Sequence, residues 1–198
     1  MPLQPHPEQA KLSTRLRRIG RSADTKFEGE LFRFINPVFS KFSDIISGDG
    51  ALHAAGRWNV TGAAHLSYTA MSPTTALEEV LVPVRYFNLP ESKALPRVLV
   101  AVKFRASRVL DLREGKIRQT LRLSQSTIRG LDWREDNFQG REALTQAWGF
   151  AFAHVGRYEA VIVPSAADAK GTNVLIFPQN LRSGSDLSVV TEVKYTKT

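Results

Sequence analysis

Three short apolar segments, each followed by a proline, constrain the fold of this sequence more than any other feature. They span residues 31–35, 160–163 and 173–177, and a proline follows each of them within two residues. Proline donates no N–H group to a strand ladder, so it marks the place where an extended segment ends. The pattern therefore predicts a sheet built from several short strands.

The remaining periodicity predicts more strands than helices. Further strands are expected over residues 65–70, 98–104, 108–112 and 187–195. One helix begins at Pro73 after the N-cap Ser72 and is expected to end at Pro83, and a second covers residues 141–154. Residues 113–140 are polar and basic, and we interpret them as a short helix plus a long surface loop. Because strands outnumber helices without regular alternation, the sequence favours an α+β fold over a doubly wound sheet.

The chain contains no cysteine, and this excludes several classes of protein at once. A disulfide framework, a Cys-ligated zinc, an iron–sulfur cluster and a thiol nucleophile all need that residue. The four histidines are too scattered for a metal motif defined by spacing, so no metal is expected. No apolar run reaches the roughly 18 residues of a membrane span, and the N-terminus lacks the apolar core of a secretory signal. We therefore expect a cytoplasmic protein without a membrane segment.

Positive charge is concentrated near the N-terminus. The chain carries 27 Lys and Arg residues against 19 acidic ones, a formal net charge of +8. This balance favours a polyanionic partner such as nucleic acid, an acidic protein or a phosphate-bearing substrate. Residues 1–26 hold six basic and two acidic residues. We interpret them as a solvated basic arm with a short helix over residues 8–19, dispensable for chemistry and placed ahead of a folded body over residues 27–198. The alternative is an arm that docks a partner protein or binds nucleic acid.

The candidate functional residues are polar side chains in apolar surroundings, because the common catalytic motifs are absent. The sequence has no GxxxxGK[ST], GxGxxG, HExxH or GxSxG pattern. The candidates are Arg33 in an aromatic strand segment, Arg57 after a glycine, Tyr68 in a strand segment, Glu79 on an apolar helix and Ser165 after a buried strand. Each also has a structural explanation, such as an edge-strand arginine or a helix-surface acid.

Taken together, these residues resemble the RES-domain family, the NAD-consuming toxins of bacterial toxin–antitoxin modules. The matching stretches are residues 31–33, 47–50, 56–59 with Gly62, 68–70, 72–73, 76–79, 163–165 and 173–178. Eleven residues separate Arg57 from Tyr68 and again Tyr68 from Glu79, which is similar to the family's arrangement and selects Glu79 over Glu78. Ala55 stands where the family usually has a glycine.

The resemblance implies a fold similar to that of ADP-ribosyltransferases, with two small β-sheets around an NAD cleft and flanking helices. It implies an enzyme that cleaves its substrate NAD at the nicotinamide–ribose bond, as an NAD phosphorylase or NADase. Glu79 would stabilise positive charge on the ribose, the arginines would bind pyrophosphate, and Tyr68 would stack on nicotinamide or ribose. The implied catalytic residues are Glu79, Arg33, Arg57, Tyr68 and Ser165, and the implied NAD-binding residues are Arg33, Arg57, Asn59, Tyr68, Ser165 and Asn173.

The resemblance also implies partners and a cellular effect. The acceptor would be inorganic phosphate or water, the loss of NAD would arrest bacterial growth, and an Xre-type antitoxin protein would plug the cleft. Two alternatives stay open: an ADP-ribosyltransferase that modifies a protein, and a non-catalytic basic module that binds nucleic acid with salt-dependent affinity. The sequence decides neither the acceptor, nor the role of residues 105–140, nor whether the chain forms a homodimer.

Overall fold

A computed structural model describes residues 2–39 and 41–195, so residues 196–198 of the predicted body lie outside the described residues. The described residues form a mixed α+β fold, as predicted. The α-helices are α1 Gln9–Arg17, α2 Phe42–Ser47, α3 Gly50–His53, α4 Pro73–Tyr86, α5 Gly115–Leu121, α6 Gln125–Gly130, α7 Trp133–Phe138 and α8 Leu144–Val155. The strands are β1 Asp24–Ile35, β2 Ser67–Ala70, β3 Arg97–Asp111, β4 Ala160–Pro164, β5 Thr172–Ile176 and β6 Asp186–Tyr195.

Strand β3 lies at the centre of the sheet because both of its edges are paired. Along one edge it runs antiparallel to β1, with register pairs from Val98 to Leu110. Along the other edge it pairs first with β6, which is antiparallel, and then with β4, which is parallel. Strand β5 continues the sheet from β4 to β2.

The resemblance predicts two small sheets, whereas the described strands join in one sheet of order β1-β2-β5-β4-β3-β6 with an additional pairing of β1 and β3. The cause is the length of β3, whose 15 residues let one strand pair with β1, β4 and β6. The register pair Phe32↔Ala70 then joins β2 to the free edge of β1. The pairings of β1, β2, β5, β4 and β3 therefore form a closed ring.

The prediction of two companion strands over 98–104 and 108–112 is wrong, because one strand covers both segments. The polar side chains of Arg105 and Ser107 do not interrupt the strand, because both are exposed and alternate with the buried Phe104 and Ala106. A half-buried strand accepts this alternation since successive side chains point to opposite faces.

The sheet separates two hydrophobic clusters. Val161 and Val163 of β4 belong to a cluster that includes α8, whereas Ala160 and Ile162 belong to a cluster with apolar side chains of β1 and β3. Every residue of β4 is buried. The continuous apolar sequence of this strand is explained by the presence of a packed layer on both of its faces.

The N-terminal helix is part of the core, which contradicts its interpretation as a solvated arm. Leu12 and Leu16 of α1 are 0% exposed and pack in the cluster that contains α8. The carboxylate of Glu142, just before α8, accepts hydrogen bonds from the backbone N–H of His6 and the side-chain amide of Gln9. The prediction of a helix from the apolar spacing is confirmed. The burial of its apolar face could not be predicted, because it depends on packing against the distant helix α8.

Residues 113–140 also differ from the prediction, because they contain three short helices rather than one helix and a long loop. Helices α5, α6 and α7 occupy most of the segment. Ile117, Leu121 and Ile128 are buried and join the cluster that contains α8.

Among residues 2–39 and 41–195, none of the helices has both the length and the apolar character that crossing a bilayer requires.

Glu159 is a fully buried carboxylate beside the strand pair β3–β4. One of its oxygens accepts hydrogen bonds from the backbone N–H groups of Ser107 and Arg108 and from the Ser107 hydroxyl. The other accepts from the backbone N–H of Arg182 and the hydroxyl of Ser185. Burial alone would raise the pKa of this carboxyl, but these donors outweigh burial and hold its pKa below the usual range.

The packing of α1 predicts that Leu16→Ala destabilises the protein. Removing a fully buried leucine side chain leaves a cavity and costs about 2–5 kcal/mol. The measurement is the free energy of unfolding in urea, with Arg17→Ala at the adjacent exposed position of the same helix as the control. Equal unfolding free energies for the two variants would contradict the placement of α1 in the core.

The hydrogen bonds of Glu159 predict a pH-dependent effect of Glu159→Gln. Because its pKa is depressed in the folded state, the carboxylate stabilises the fold above the unfolded pKa, about 4.3, and this contribution disappears as the pH falls through the folded pKa. The variant should therefore lose about 1–3 kcal/mol at pH 7 and approach the parent protein in acid. Urea unfolding from pH 7 to pH 3 measures this, with the exposed Glu28→Gln as the control. A gap between variant and parent that is independent of pH would refute the stabilising role of the charge.

Candidate functional site

A cavity of about 390 Å³ opens between strands β1 and β2, the loop before β2, helix α4 and the start of α7. Six of the seven residues predicted for the site line this cavity: Arg33, Arg57, Asn59, Tyr68, Glu79 and Asn173. The seventh, Ser165, contacts the side chain of Glu79. The fold thus brings together all of the predicted site residues, although they are spread from residue 33 to residue 173.

Glu79 is held in the cavity through one of its two oxygens. Its Oε1 atom accepts hydrogen bonds from Ser165 Oγ at 2.6 Å and from Asn173 Nδ2 at 2.5 Å. Ser165 directly follows β4, and Asn173 lies in β5. The Oε2 atom has no hydrogen bond to a described residue, so it is free to accept one from a ligand. The carboxylate is therefore fixed by the two strand ends on one side and available on the other.

Glu78 has different surroundings from its neighbour. It forms an ion pair with Arg85 at 2.5 Å, and Arg85 also pairs with Glu91 on the surface. Glu78 does not belong to the residues that line the cavity. The helical turn therefore presents Glu79, and not Glu78, to the site.

Helix α4 begins as predicted but ends later. Ser72 Oγ accepts a hydrogen bond from the backbone N–H of Thr75, and Pro73 follows at the first helical position. The helix does not end at Pro83 but continues to Tyr86. Proline lacks an N–H, so the carbonyl of Glu79, four residues earlier, has no helical partner at this point. Packing of the buried face of α4 outweighs the loss of one hydrogen bond.

The loop after β4 ties Ser165 to the start of α4. Ser165 Oγ accepts hydrogen bonds from the backbone N–H groups of Ala167 and Asp168 while it donates to Glu79. The carboxylate of Asp168 in turn accepts a hydrogen bond from Thr75 Oγ1 at 2.8 Å. The hydroxyl of Ser165 is thus oriented by its own loop, and the loop is fastened to the helix that carries Glu79.

Arg33 enters the cavity from β1 without a carboxylate partner among the described residues. Its Nη1 donates to the carbonyl oxygen of Ile45 at 2.8 Å and to Ser67 Oγ at 2.6 Å. Its Nε is buried and has no hydrogen-bond partner in the described part of the chain. Burial lowers the pKa of this guanidinium to about 10, so the group stays charged at neutral pH. Its positive charge is available to an anionic ligand.

Arg57 is anchored by the helical segment 113–140. Its Nη1 donates to the carbonyl oxygens of Ile128 at 3.2 Å and Leu131 at 2.7 Å, at the end of α6. Burial lowers the pKa of Arg57, and the nearby Glu79 carboxylate partly offsets this effect. Carbonyl oxygens satisfy the N–H donors but carry no formal charge, so this second arginine also keeps its charge for a ligand.

The turn that carries Arg57 is held by a buried polar pair. Tyr68 OH donates to Asn59 Oδ1 at 2.8 Å and accepts from the backbone N–H of Trp58 at 3.0 Å. Burial raises the pKa of Tyr68, which keeps the hydroxyl protonated. A Cβ at Gly56 would lie only 2.7 Å from Tyr68 OH, so only glycine fits this close approach.

The side-chain amide of Asn59 forms its hydrogen bonds within the protein. Its Nδ2 donates to the carbonyl oxygens of Ala51 at 2.8 Å and Ala54 at 2.9 Å, and its Oδ1 accepts from Tyr68. The residue is buried although it borders the cavity. These hydrogen bonds stabilise the turn that carries Arg57.

The comparisons with known proteins identify the family. The family model of the RES domain matches residues 30–197. The chain belongs to the RES-domain family. A search of curated proteins found no match. In structure, this RES domain is similar to a chain of the crystal structure of the M. tuberculosis MbcT–MbcA toxin–antitoxin complex, with a TM-score of 0.72, 23% sequence identity, and coverage of 93% of this chain and 92% of that chain. The resemblance inferred from the motifs is confirmed, and the two chains share a fold.

Sequence reasoning missed two residues of α8 that hold the turn of this RES domain in place. Gln146 Nε2 donates to the carbonyl oxygens of Gly56 at 3.0 Å and Asn59 at 3.2 Å. At Gly149 a Cβ would lie 1.7 Å from the carbonyl oxygen of Trp58, so the helix approaches the turn as closely as a glycine permits. A polar Gln on an apolar helix face was the available signal for Gln146, and the sequence offers none for Gly149.

Sequence reasoning also missed Trp133 and Arg134, which line the cavity of the RES domain from α7. They belong to the segment 113–140 that was interpreted largely as a surface loop. No motif residue marks them, because their place in the site depends on how three short helices pack.

Among the described residues, no group of three or more His, Asp or Glu side chains is arranged to hold a metal ion.

We predict that the Tyr68 hydroxyl contributes measurably to the free energy of unfolding. Tyr68→Phe leaves the buried Asn59 Oδ1 without its donor and the Trp58 N–H without its acceptor, so we expect a loss of about 1–3 kcal/mol in the free energy of unfolding. Tyr86→Phe is the matched control, because the Tyr86 hydroxyl bonds to Asp132 at the surface. A loss for Tyr68→Phe no larger than that of the control would show that the buried pair does not hold the turn.

Proposed function

We propose that this protein cleaves NAD at the nicotinamide–ribose bond. The observation that carries the proposal is the single fixed carboxylate, Glu79, facing a cavity that also holds two arginines without carboxylate partners among the described residues. A dinucleotide needs both features, because its pyrophosphate is anionic and its ribose becomes cationic during cleavage. An ADP-ribosyltransferase-like arrangement of the cleft belongs to this proposal.

Arg33 and Arg57 are proposed to bind the pyrophosphate. A guanidinium presents planar, paired N–H donors that match two phosphate oxygens, which an ammonium group cannot do. Both arginines use Nη1 on protein oxygens, and the Nη2 group of neither one has a hydrogen-bond partner among the described residues, so these groups can bind a ligand. Their partial burial strengthens an ion pair with the ligand, because it reduces screening by water.

Glu79 is proposed to stabilise the transition state. As the bond between C1′ and the nicotinamide nitrogen breaks, its electron pair goes to the nicotinamide ring, which leaves as a neutral molecule. The sugar becomes oxocarbenium-like, and a carboxylate close to the ribose stabilises its positive charge. An oxygen of phosphate or water then forms the new bond to C1′, and with water a proton is released. The Tyr68 ring would stack on nicotinamide or ribose.

Ser165 and Asn173 are proposed to position the carboxylate rather than the substrate. Sequence analysis assigned both to NAD, but in the unliganded geometry each donates its hydrogen bond to Glu79 Oε1. Two donors on one oxygen keep the carboxylate in a single orientation before the substrate arrives. This preorganisation supports catalysis because no reorganisation is then required during the reaction.

The biological role proposed for this activity is that of a toxin acting in the bacterial cytoplasm. The NAD pool would be depleted, and an antitoxin protein of Xre type would block the cavity. Support comes from the RES-domain family and from the fold shared with a chain of a toxin–antitoxin complex. A transferase that acts on a phosphate-containing substrate would use the two arginines in the same way. Identification of the reaction products distinguishes this alternative from NAD cleavage.

The test is NAD turnover by Glu79→Gln against Glu78→Gln. The amide cannot stabilise developing positive charge, so the first variant should lose at least about 100-fold in rate, while the second should retain the parent rate. Purified protein is incubated with NAD, with and without phosphate, and the products are identified, with the melting temperature as a check of folding. Normal turnover by a folded Glu79→Gln variant would remove this residue from the mechanism.

A further inference from the structure

Arg134 lines the cavity from α7 and has no role in the function proposed so far. We propose that Arg134 is a third phosphate-binding arginine of the cavity, held against the rings of Tyr86 and Trp133. The proposal deepens the proposed function and rests on it for the identity of the substrate, but phosphate binding by Arg134 can be measured without NAD turnover.

Two aromatic rings hold the guanidinium of Arg134. Its Cζ lies 4.4 Å from the centroid of the Trp133 ring and 5.0 Å from that of the Tyr86 ring. Both distances fall within the range of about 6 Å in which a cation is attracted to a ring face. Stacking of this kind fixes the position of the planar group but leaves its N–H donors at the edge unused.

Asp132 fixes this assembly without neutralising it. Its Oδ1 accepts hydrogen bonds from the backbone N–H groups of Arg134 and Glu135, and its Oδ2 accepts from Tyr86 OH at 3.0 Å. The carboxylate thus joins the end of α4 to the start of α7. Its hydrogen bond to Arg134 goes to the backbone and not to the guanidinium, so the N–H donors of the guanidinium remain unused, although the negative charge of Asp132 favours the charged form of Arg134 and opposes the lowering of its pKa by burial.

The guanidinium of Arg134 makes no hydrogen bond to any residue that the structure describes. The side chain is half-buried, and loss of hydration lowers its pKa. Its five N–H donors have no partner among the described residues, so they are available to the acceptor oxygens of a ligand in place of water. This arrangement supports a role of Arg134 in binding.

The residues that line the cavity carry more positive than negative charge, which favours an anionic ligand. Among the described residues that line it, three arginines (Arg33, Arg57 and Arg134) face the single carboxylate of Glu79. Arg134 also lowers the pKa of Arg57, as expected of two like charges that lie near each other. An anion such as pyrophosphate or inorganic phosphate would offset the excess of positive charge on the cavity wall and reduce this repulsion.

The phosphate bound by Arg134 can come from two sources with the same chemistry. It is either the pyrophosphate of the dinucleotide or free inorganic phosphate that acts as the acceptor. The two sources predict different kinetics, because loss of a substrate contact raises the KM for NAD, whereas loss of an acceptor contact raises the KM for phosphate.

The experiment measures binding and turnover with the same variants. Inorganic pyrophosphate and inorganic phosphate are titrated by calorimetry into the full-length parent protein, Arg134→Gln, Arg134→Lys and the exposed strand control Arg105→Gln. We expect the Kd of at least one of these anions to rise tenfold or more for Arg134→Gln, about 1.4 kcal/mol, to rise less for Arg134→Lys, and to be unchanged in the control. Melting temperatures show whether each variant is folded.

Two variants of Tyr86 test how the arginine is held. Tyr86→Phe keeps the ring but removes the hydroxyl that bonds to Asp132, whereas Tyr86→Ala removes both, so Tyr86→Ala should weaken anion binding more than Tyr86→Phe does. A purely structural role of Arg134 would change the melting temperature and leave the Kd unchanged.

The outcomes separate this proposal from the proposed function. Arg134-dependent anion binding without NAD turnover supports the phosphate site and refutes the NAD chemistry. With turnover, a raised KM for NAD assigns the site to the dinucleotide, and a raised KM for phosphate assigns it to the acceptor. The proposal is overturned if the parent protein binds neither anion, or if Arg134→Gln binds both as tightly as the parent does.

Discussion

Strand β3 pairs with β1 along one edge and with β6 and β4 along the other, and the walls of the cavity depend on this double pairing. Through β1 it places Arg33, which lies opposite Val100 in the register. Through β4 and then β5 it places the strand ends that carry Ser165 and Asn173. A slip of one residue in the β1–β3 register would turn the side chain of Arg33 to the other face of the sheet and remove it from the cavity.

The electrostatics of the site follow from the choice of hydrogen-bond partners. Arg33 and Arg57 are held by carbonyl and hydroxyl oxygens, and Arg134 is held by aromatic rings. Carboxylates would cancel the charges of these cations, whereas neutral partners fix their positions and leave the charges in place. Glu79, the one carboxylate on the cavity wall among the described residues, is in turn held by neutral donors from Ser165 and Asn173. The fold thus keeps opposite charges apart until a ligand connects them.

Elements with local signals could be predicted from the sequence, and elements that depend on distant partners could not. The N-cap Ser72, the apolar strands β4 and β5 and the helix α8 each carry their signal within a few residues. The residues that meet at the cavity could be predicted because the spacing of the family motifs reflects which residues lie close together. By contrast, the continuity of β3 over residues 97–111 could not be predicted, because its pairing with β1 is not visible locally. The same reason explains why the burial of α1 and the roles of Gln146 and Arg134 were missed.

The order of the elements along the chain has a consequence for synthesis on the ribosome. Glu79 receives its two hydrogen bonds from Ser165 and Asn173, and the turn beside it is fixed by Gln146 and Gly149. A nascent chain therefore carries its carboxylate long before it carries the residues that hold that carboxylate in place. Until α8, β4 and β5 have emerged and packed, helix α1 also lacks the surface that buries it. The cavity is complete only after residue 173 has been made and paired, so the growing polypeptide lacks the assembled cavity until then.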